Sequence, residues 1–320
     1  MKTQTAHAGT VAPAGVAARP RRGKIRGSHH THRTTVRWLL APAVIFLLVW
    51  MLVPLAMTFY YSFENYNLMM PLDRGFAGIL NYQLLFDDPI FWAALGNTLV
   101  LVFFSLILTV GFGLALALLF NRTFPLRGVA RTLAVAPFFV MPVVAGLIWK
   151  NMLMHPVYGL FAWVFRSLGL EPIDWLAQYP MSSVVIMITW MWTPFALLVL
   201  LTGLQSLPED QLEAVRLDGA NRWQEFRHIV LPHLGQVIYV VLMLESIFFL
   251  TSFAEIYTTT SGGPGTATTN LPYYIYLNAF FQYDIGTSSA GAIAAVVLAN
   301  IFAIFLIRFV SGNLNAGANR

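Results

Sequence analysis

The chain offers little that could do covalent chemistry. There is no cysteine among its 320 residues, which rules out disulfides and thiolate metal sites. No G-x-x-x-x-G-K-[S/T] run occurs, so it has no loop to cradle the phosphates of ATP. Its serines, histidines and aspartates form no recognisable nucleophile–base arrangement. His29, His30 and His32 stand close together, but nothing there fixes a metal geometry, and they read as solvated. The informative polar residues are those set inside long apolar runs: Glu245, Ser246, Asn300, Trp190 and Trp192. A charge at membrane depth costs about 2.5–3.5 kcal/mol on insertion scales, so such groups face a bundle interior or a water-filled path. Aromatic faces beside groups that trade hydrogen bonds would suit a polyhydroxylated cargo. Plainer readings stand beside this one. Glu245 and Asn300 could join helices. Trp190 and Trp192, two residues apart, point to different sides of a helix, so at most one lines a path.

Apolar helices must position these residues. The chain is 58% hydrophobic and only 10% charged, with a mean hydropathy of +0.67. A soluble domain carries about 25% charged residues and could not hide so much apolar surface. Six runs are long enough to span as helices, near residues 38–59, 98–120, 132–152, 181–204, 236–253 and 290–310. They are continuous rather than alternating, which favours helices over a barrel. The fold class is therefore an all-α membrane protein with six transmembrane helices. All but Arg74, Lys150 and Arg166 of the 19 Lys and Arg fall on one side of this arrangement. That side is cytoplasmic, with both termini, by the positive-inside rule. The net charge of +5 thus reports topology rather than nucleic-acid binding.

Three parts follow: a basic cytoplasmic tail at 1–36, expected to be disordered, a membrane domain at 37–312, and a short cytoplasmic tail at 313–320. The first helix is expected to be a retained signal anchor. The cluster from Arg19 to Lys24 serves as a topology signal or touches anionic lipid head groups. Outside, the stretch from Tyr158 to Arg166 suits a short helix in the interface. Aromatics near Tyr60, Tyr66 and Tyr82 anchor the membrane interface or form a docking surface.

One polar loop, 207–234, separates two apolar runs. Pro208 suits a first helical position and Glu209 and Asp210 favour a helix N-terminus, so 208–217 reads as a short helix. Asp218 and Gly219 end it, since glycine takes left-handed backbone at little cost. A second helix from about Asn221 leads past Ile229 and Pro232 into the fifth run. A rigid helix–turn–helix there can transmit a push, which a slack loop could not.

In this loop Glu213-Ala214-Val215 is followed by three residues, Gly219-Ala220, and then Ile229-Val230-Leu231-Pro232. The spacing resembles the E-A-A…G…I-x-L-P loop of ABC-importer permeases, with Val215 departing from the second Ala. The segment from Thr260 to Pro264, then Thr269, Leu271, Ile275, Ala279, Gly286 and Ser289, is similar to the outer segment of carbohydrate permeases of the MalF/MalG-like kind. The runs 137–154 and 290–308 look most similar to the sorbitol/mannitol subgroup.

The resemblance implies a permease of an ABC type I importer in the cytoplasmic (inner) membrane, not an enzyme. It implies coupling through Glu213, Ala214, Val215, Asp218, Gly219, Ala220, Ile229, Leu231 and Pro232. In it, Ala214 and Gly219 pack in a cleft of the ATPase, and Glu213 meets a basic partner residue. The implied partners are two copies of an ATPase that use ATP and Mg, a similar second permease, and an extracytoplasmic binding protein. This chain holds no cofactor of its own. The cargo would be a sugar or polyol, with a hexitol first and a disaccharide as the alternative. An ion-driven carrier using Glu245 is the rival outside this class.

Overall fold

The computed structural model describes residues 29–318. The expectations for the first 28 residues, Arg19 to Lys24 included, lie outside them. Helix α1 spans His29–Tyr61 and contains Pro42 and Pro54. It begins ahead of the boundary expected at residue 37, and no Gly or Pro between Ser28 and Pro42 opposes that start. Its apolar part is Leu40–Tyr61. A short hairpin follows, β1 (Glu64–Asn65) paired antiparallel with β2 (Gly75–Phe76). Next come α2 (Leu80–Asp87) and α3 (Pro89–Phe120). Asp88 caps α3 by accepting from the Ile90 amide at 2.8 Å, with Pro89 just inside.

The third expected span is not one straight helix. Helix α4 (Arg127–Val135) and a 3-10 turn over Ala136–Phe139 lead to α5 (Pro142–Leu147), which runs on as a π-helix through Leu153. The two halves meet at 99°. Pro142 disfavours helical backbone at the residue before it, and Met141 is extended at φ −62°, ψ 140°. Helix α6 (Leu160–Ser167) is the short helix expected between spans three and four. After α7 (Trp175–Gln178), α8 (Pro180–Gln205) runs on through Pro194 without a break.

Helices α9 (Glu209–Leu217) and α10 (Arg222–Glu225), and a π-helical turn over Phe226–Val230, lead into α11 (Leu231–Leu250). The fifth apolar helix stops at Leu250, short of the expected 253, and restarts as α12 (Ala254–Thr259). Helices α13 (Leu271–Phe280) and α14 (Ile285–Ala318) complete the chain. Helix α14 continues past the tail boundary expected at residue 313. Among the described residues, five helices are long and apolar enough to cross a membrane, or six if the bent pair counts as one span.

From residue 55 onward the core forms around α3 and α8. Leu101, Val102 and Leu106 of α3 are buried with Val184 and Ile188 of α8, Phe249 of α11 and Ile256 of α12. The two helices meet tightly at Gly113, where an added Cβ would lie 2.5 Å from that of Ala196. Glycine is required there by contact. Gly146 of α5 is equally tight against α12: a Cβ would fall 1.9 Å from Thr258 Oγ1.

Two segments far apart in sequence are tied at one end of the bundle. Ile285 N donates to Tyr66 O at 2.9 Å, and Leu68 N to Tyr283 O at 2.9 Å. Buried Asn81 donates to the carbonyls of Ser62 and Glu64 at 2.9 and 2.8 Å, and Gly286 leaves no room for a side chain beside Glu64 O. Arg74 pairs with Glu64 at 2.8 Å and lies 4.2 Å over the Tyr66 ring. Hydrogen bonds from Tyr60 and then Arg74 hold the Glu64 carboxyl below its ordinary range. Its contribution to this segment is complete above the pKa of the unfolded chain and is lost as pH falls through the lower folded value.

Two outcomes are expected. Replacing Gly113 by Leu overpacks the α3–α8 seam by about 1–3 kcal/mol, read as a lower Tm and yield of the detergent-purified chain. Hydrogen-exchange protection over 62–76, corrected for intrinsic rates, stays level from neutral pH down to the ordinary glutamate pKa of about 4.3 and falls only below it. In Glu64→Gln that acid-dependent step disappears.

Candidate functional site

The 207–234 loop folds as its turn residues dictate. Pro208 is extended at φ −62°, ψ 130° and serves as the N-cap of α9 rather than its first residue, so the helix starts one residue later than expected. Gly219 takes φ +85°, with open space where a side chain would be, so the requirement there is for left-handed backbone rather than for room. The Ala220 amide closes the turn onto Val215 O at 3.2 Å. Asn221 then caps α10. Its Oδ1 accepts from the amides of Trp223 and Gln224 at 3.0 and 2.9 Å, and Gln224 Oε1 accepts from Asn221 N at 2.8 Å. This reciprocal box satisfies amides that a helix start otherwise leaves free.

A bidentate ion pair locks the two helices together. Arg216 Nε and Nη2 donate to Glu225 Oε2 and Oε1 at 3.0 and 2.8 Å. Leu212, Phe226 and Ile229 pack on buried Leu204, Leu207, Val230 and Leu234 and anchor the unit to α8 and α11. His233 Nε2 adds a clasp, 3.1 Å from Ser206 Oγ and 3.2 Å from Gly203 O. Glu213, Ala214, Asp218 and Gly219 are exposed, while Val215, Ala220 and Ile229 are half-buried. Leu231 and Pro232 begin α11 and remain accessible. One face of the unit is thus anchored, and the face with Glu213, Ala214 and Gly219 points outward. Leu217, 89% exposed, stands on it. A cleft of about 850 Å³ opens between this unit and the end of α3, lined by Asn121, Arg122, Leu212, Arg216, Trp223 and Phe226.

The apolar-run candidates do not form one cluster. Glu245 is fully buried against α3, where Thr109 Oγ1 donates to its Oε2 at 2.6 Å; its Oε1 and the nearby orphan Ser105 Oγ have no hydrogen-bond partner. Ser246 is buried too, but donates to Met243 O of its own helix at 2.8 Å. Asn300 is exposed on α14 and donates to Val296 O of its own helix at 2.8 Å. Trp190 meets Trp149 edge-on at 5.7 Å, whereas Trp192 lies among Phe138, Phe248 and Phe249 at 5.7, 4.6 and 5.8 Å. Their nearest ring partners differ, although both indoles also pack against the cluster of Ala145, Trp149, Met154, Met187 and Met191.

The sequence reading missed three features. The ion pair joins residues nine apart on two short helices, a distance that no single-helix rule covers. The buried carboxyl of Glu255 accepts from Ser252 Oγ at 2.7 Å at the break between α11 and α12. Gly146 reveals its role only through Thr258.

The comparisons with known proteins agree with the fold. Residues 89–315 match the family described as binding-protein-dependent transport system inner membrane component. The chain is 38% identical over 280 residues to a probable ABC transporter permease protein, y4oQ, of Sinorhizobium fredii, covering 87% of this chain and 88% of that one. It is 34% identical over 273 residues to the trehalose/maltose permease protein MalF of Thermococcus litoralis, with 84% and 91% covered. Among solved structures, a chain of a bacterial alginate ABC transporter, in complex with an alginate-pentasaccharide-bound periplasmic protein, aligns with a TM-score of 0.72. Its identity is 24%, and 86% of this chain and 93% of that one are covered. The chain belongs to the binding-protein-dependent transport system inner membrane components: it is a multi-pass, mostly helical permease of the ABC-transporter kind.

Removing the Asn221 cap by Asn221→Ala costs about 1 kcal/mol locally. Faster hydrogen exchange confined to 209–228, with an unchanged Tm for the whole chain, is the expected signature, and Arg216→Ala produces the same pattern.

Proposed function

We propose that this chain is one of a pair of similar permease subunits, with both termini cytoplasmic. Two copies of a separate ATPase dock on the 207–234 unit, and a binding protein delivers cargo from the opposite side. The observation that carries this reading is the outward face of that unit. Small Ala214 and left-handed Gly219 leave room for a partner beside Glu213, while Leu212, His233 and the Arg216–Glu225 pair make the unit stiff enough to pass on a push. ATP and magnesium are used by the ATPase. When its two halves close, they draw the two coupling units together and open the path outward by alternating access.

The cargo is a sugar or polyol. A hexitol such as sorbitol or mannitol is our first reading, from the likeness over 137–154 and 290–308. The named cargo of the Thermococcus relative supports a disaccharide as the second. The path runs beside the two interrupted spans, whose halves meet where Gly146 packs on Thr258, since irregular backbone at membrane depth is tolerated where it is buried in protein or lines a cavity. Trp192, between Phe138 and Phe248, is the foremost candidate to line it, with Trp190, Ser246 and Asn300 behind. Glu245 reaches cargo only if α3 and α11 part.

The test is ATP hydrolysis by the reconstituted complex with its binding protein, across hexitols, hexoses and disaccharides. Cargo-stimulated hydrolysis is expected to drop at least tenfold in Gly219→Arg, because a side chain at that turn is strained and projects into the docking face. Stimulation by mannitol or sorbitol supports the hexitol reading; stimulation by disaccharides alone discards it. Hydrolysis indifferent to Gly219→Arg sinks the coupling role of the loop.

A further inference from the structure

Helix α4 has an unusual orientation. Its apolar residues Val129 and Leu133, with Leu126 just before it, are 57%, 68% and 78% exposed. Its other face carries Arg127, Ala130, Arg131 and Ala134, which share one side by their spacing. That side turns inward, because Ala130 and Ala134 pack on the core of Ala117, Phe120, Ala196 and Leu197. Two guanidinium groups one turn apart are therefore drawn into the protein at the end of the bundle that holds the 207–234 unit.

Both arginines are half-buried, and among the described residues neither guanidinium finds an acceptor. Arg127 Nε, Arg131 Nε and Arg131 Nη2 are buried without a hydrogen-bond partner among the described residues. The ion pairs there are those of Arg74 and Arg216, and the cation–π contacts belong to Arg74. From residue 89 to residue 170 the chain contains no Asp or Glu at all, so the surrounding segment supplies no counter-charge. Two like charges at this spacing repel, and a buried guanidinium without an anion is unfavourable. A ligand with several acceptor oxygens and a negative charge removes both problems at once, because guanidinium forks match a tetrahedral oxyanion.

We propose that Arg127 and Arg131 form a binding site for a phosphate-type oxyanion. Two sources share this chemistry. One is the head group of an anionic phospholipid. The other is a soluble phosphate.

The test uses the full chain with the subunits that co-purify. Native mass spectrometry counts the phosphatidylglycerol retained in a phosphatidylcholine background, and equilibrium dialysis measures labelled inorganic phosphate. Arg127→Gln/Arg131→Gln is expected to weaken one of these by roughly tenfold or more, the size expected for two arginines near one anion. Arg127→Lys/Arg131→Lys keeps part of it. Loss of phosphatidylglycerol retention supports the site and assigns it to lipid; loss of phosphate binding supports it and assigns it to a soluble anion. Equal retention and equal phosphate binding by wild type and variant overturn the proposal. So does a variant that binds both normally but no longer assembles with its ATPase, which would give the arginines to a protein interface. Should the double variant fail to accumulate, Arg131→Gln alone is read the same way, since Arg131 carries two of the three orphan nitrogens.

Discussion

Inside an apolar slab every backbone N–H and C=O must find its partner within the protein, and this requirement organises the chain. It makes the long spans helical. It also dictates how a span can be interrupted. At the first break the residue that would lose a helical bond is Pro142, which has no N–H to lose. At the second, side chains make up part of the loss: Asn270 Nδ2 donates to Ser252 O, and Ser252 Oγ donates to Glu255. Thr251 and Ser252 turn their amides back to Phe248 and Phe249. The helices beyond the two breaks then cover one another at Gly146 and Thr258.

The 207–234 unit meets the opposite condition. Its exposed face lies where water competes for every hydrogen bond, yet its two short helices are braced. Stiffness comes from several modest local devices acting together: a left-handed glycine, a reciprocal cap, a two-pronged ion pair and a hydrophobic anchor. None of them is large alone. Together they fix the angle between two short helices.

How much of this is legible in the sequence depends on how local the cause is. The loop reads well because Pro208, Gly219 and Asn221 each dictate backbone within a few residues. The five long apolar helices read well because hydropathy is also local. The bend in the third span is hidden, because Val140, Met141 and Pro142 keep the run apolar and hydropathy is blind to direction. Glu245 is visible as a costly residue, but its partner Thr109 lies 136 residues away, so the sequence could not say whether it met cargo or another helix. Arg127 and Arg131 look like ordinary positive-inside residues until α4 is seen with its arginines turned inward.

The tie between the segment after α1 and the segment before α14 has a consequence for how the chain is made. Asn67 is bridged to Asp284, and its side chain reaches Gln282 across 215 residues. During synthesis the first of these segments emerges long before the second, so its edge groups stay unpaired while most of the chain is still to be made. Contacts of such high sequence separation form late. The fold therefore closes on itself only when its last helix begins, and a chain cut anywhere before residue 285 would lack the amides that Tyr66 O accepts from.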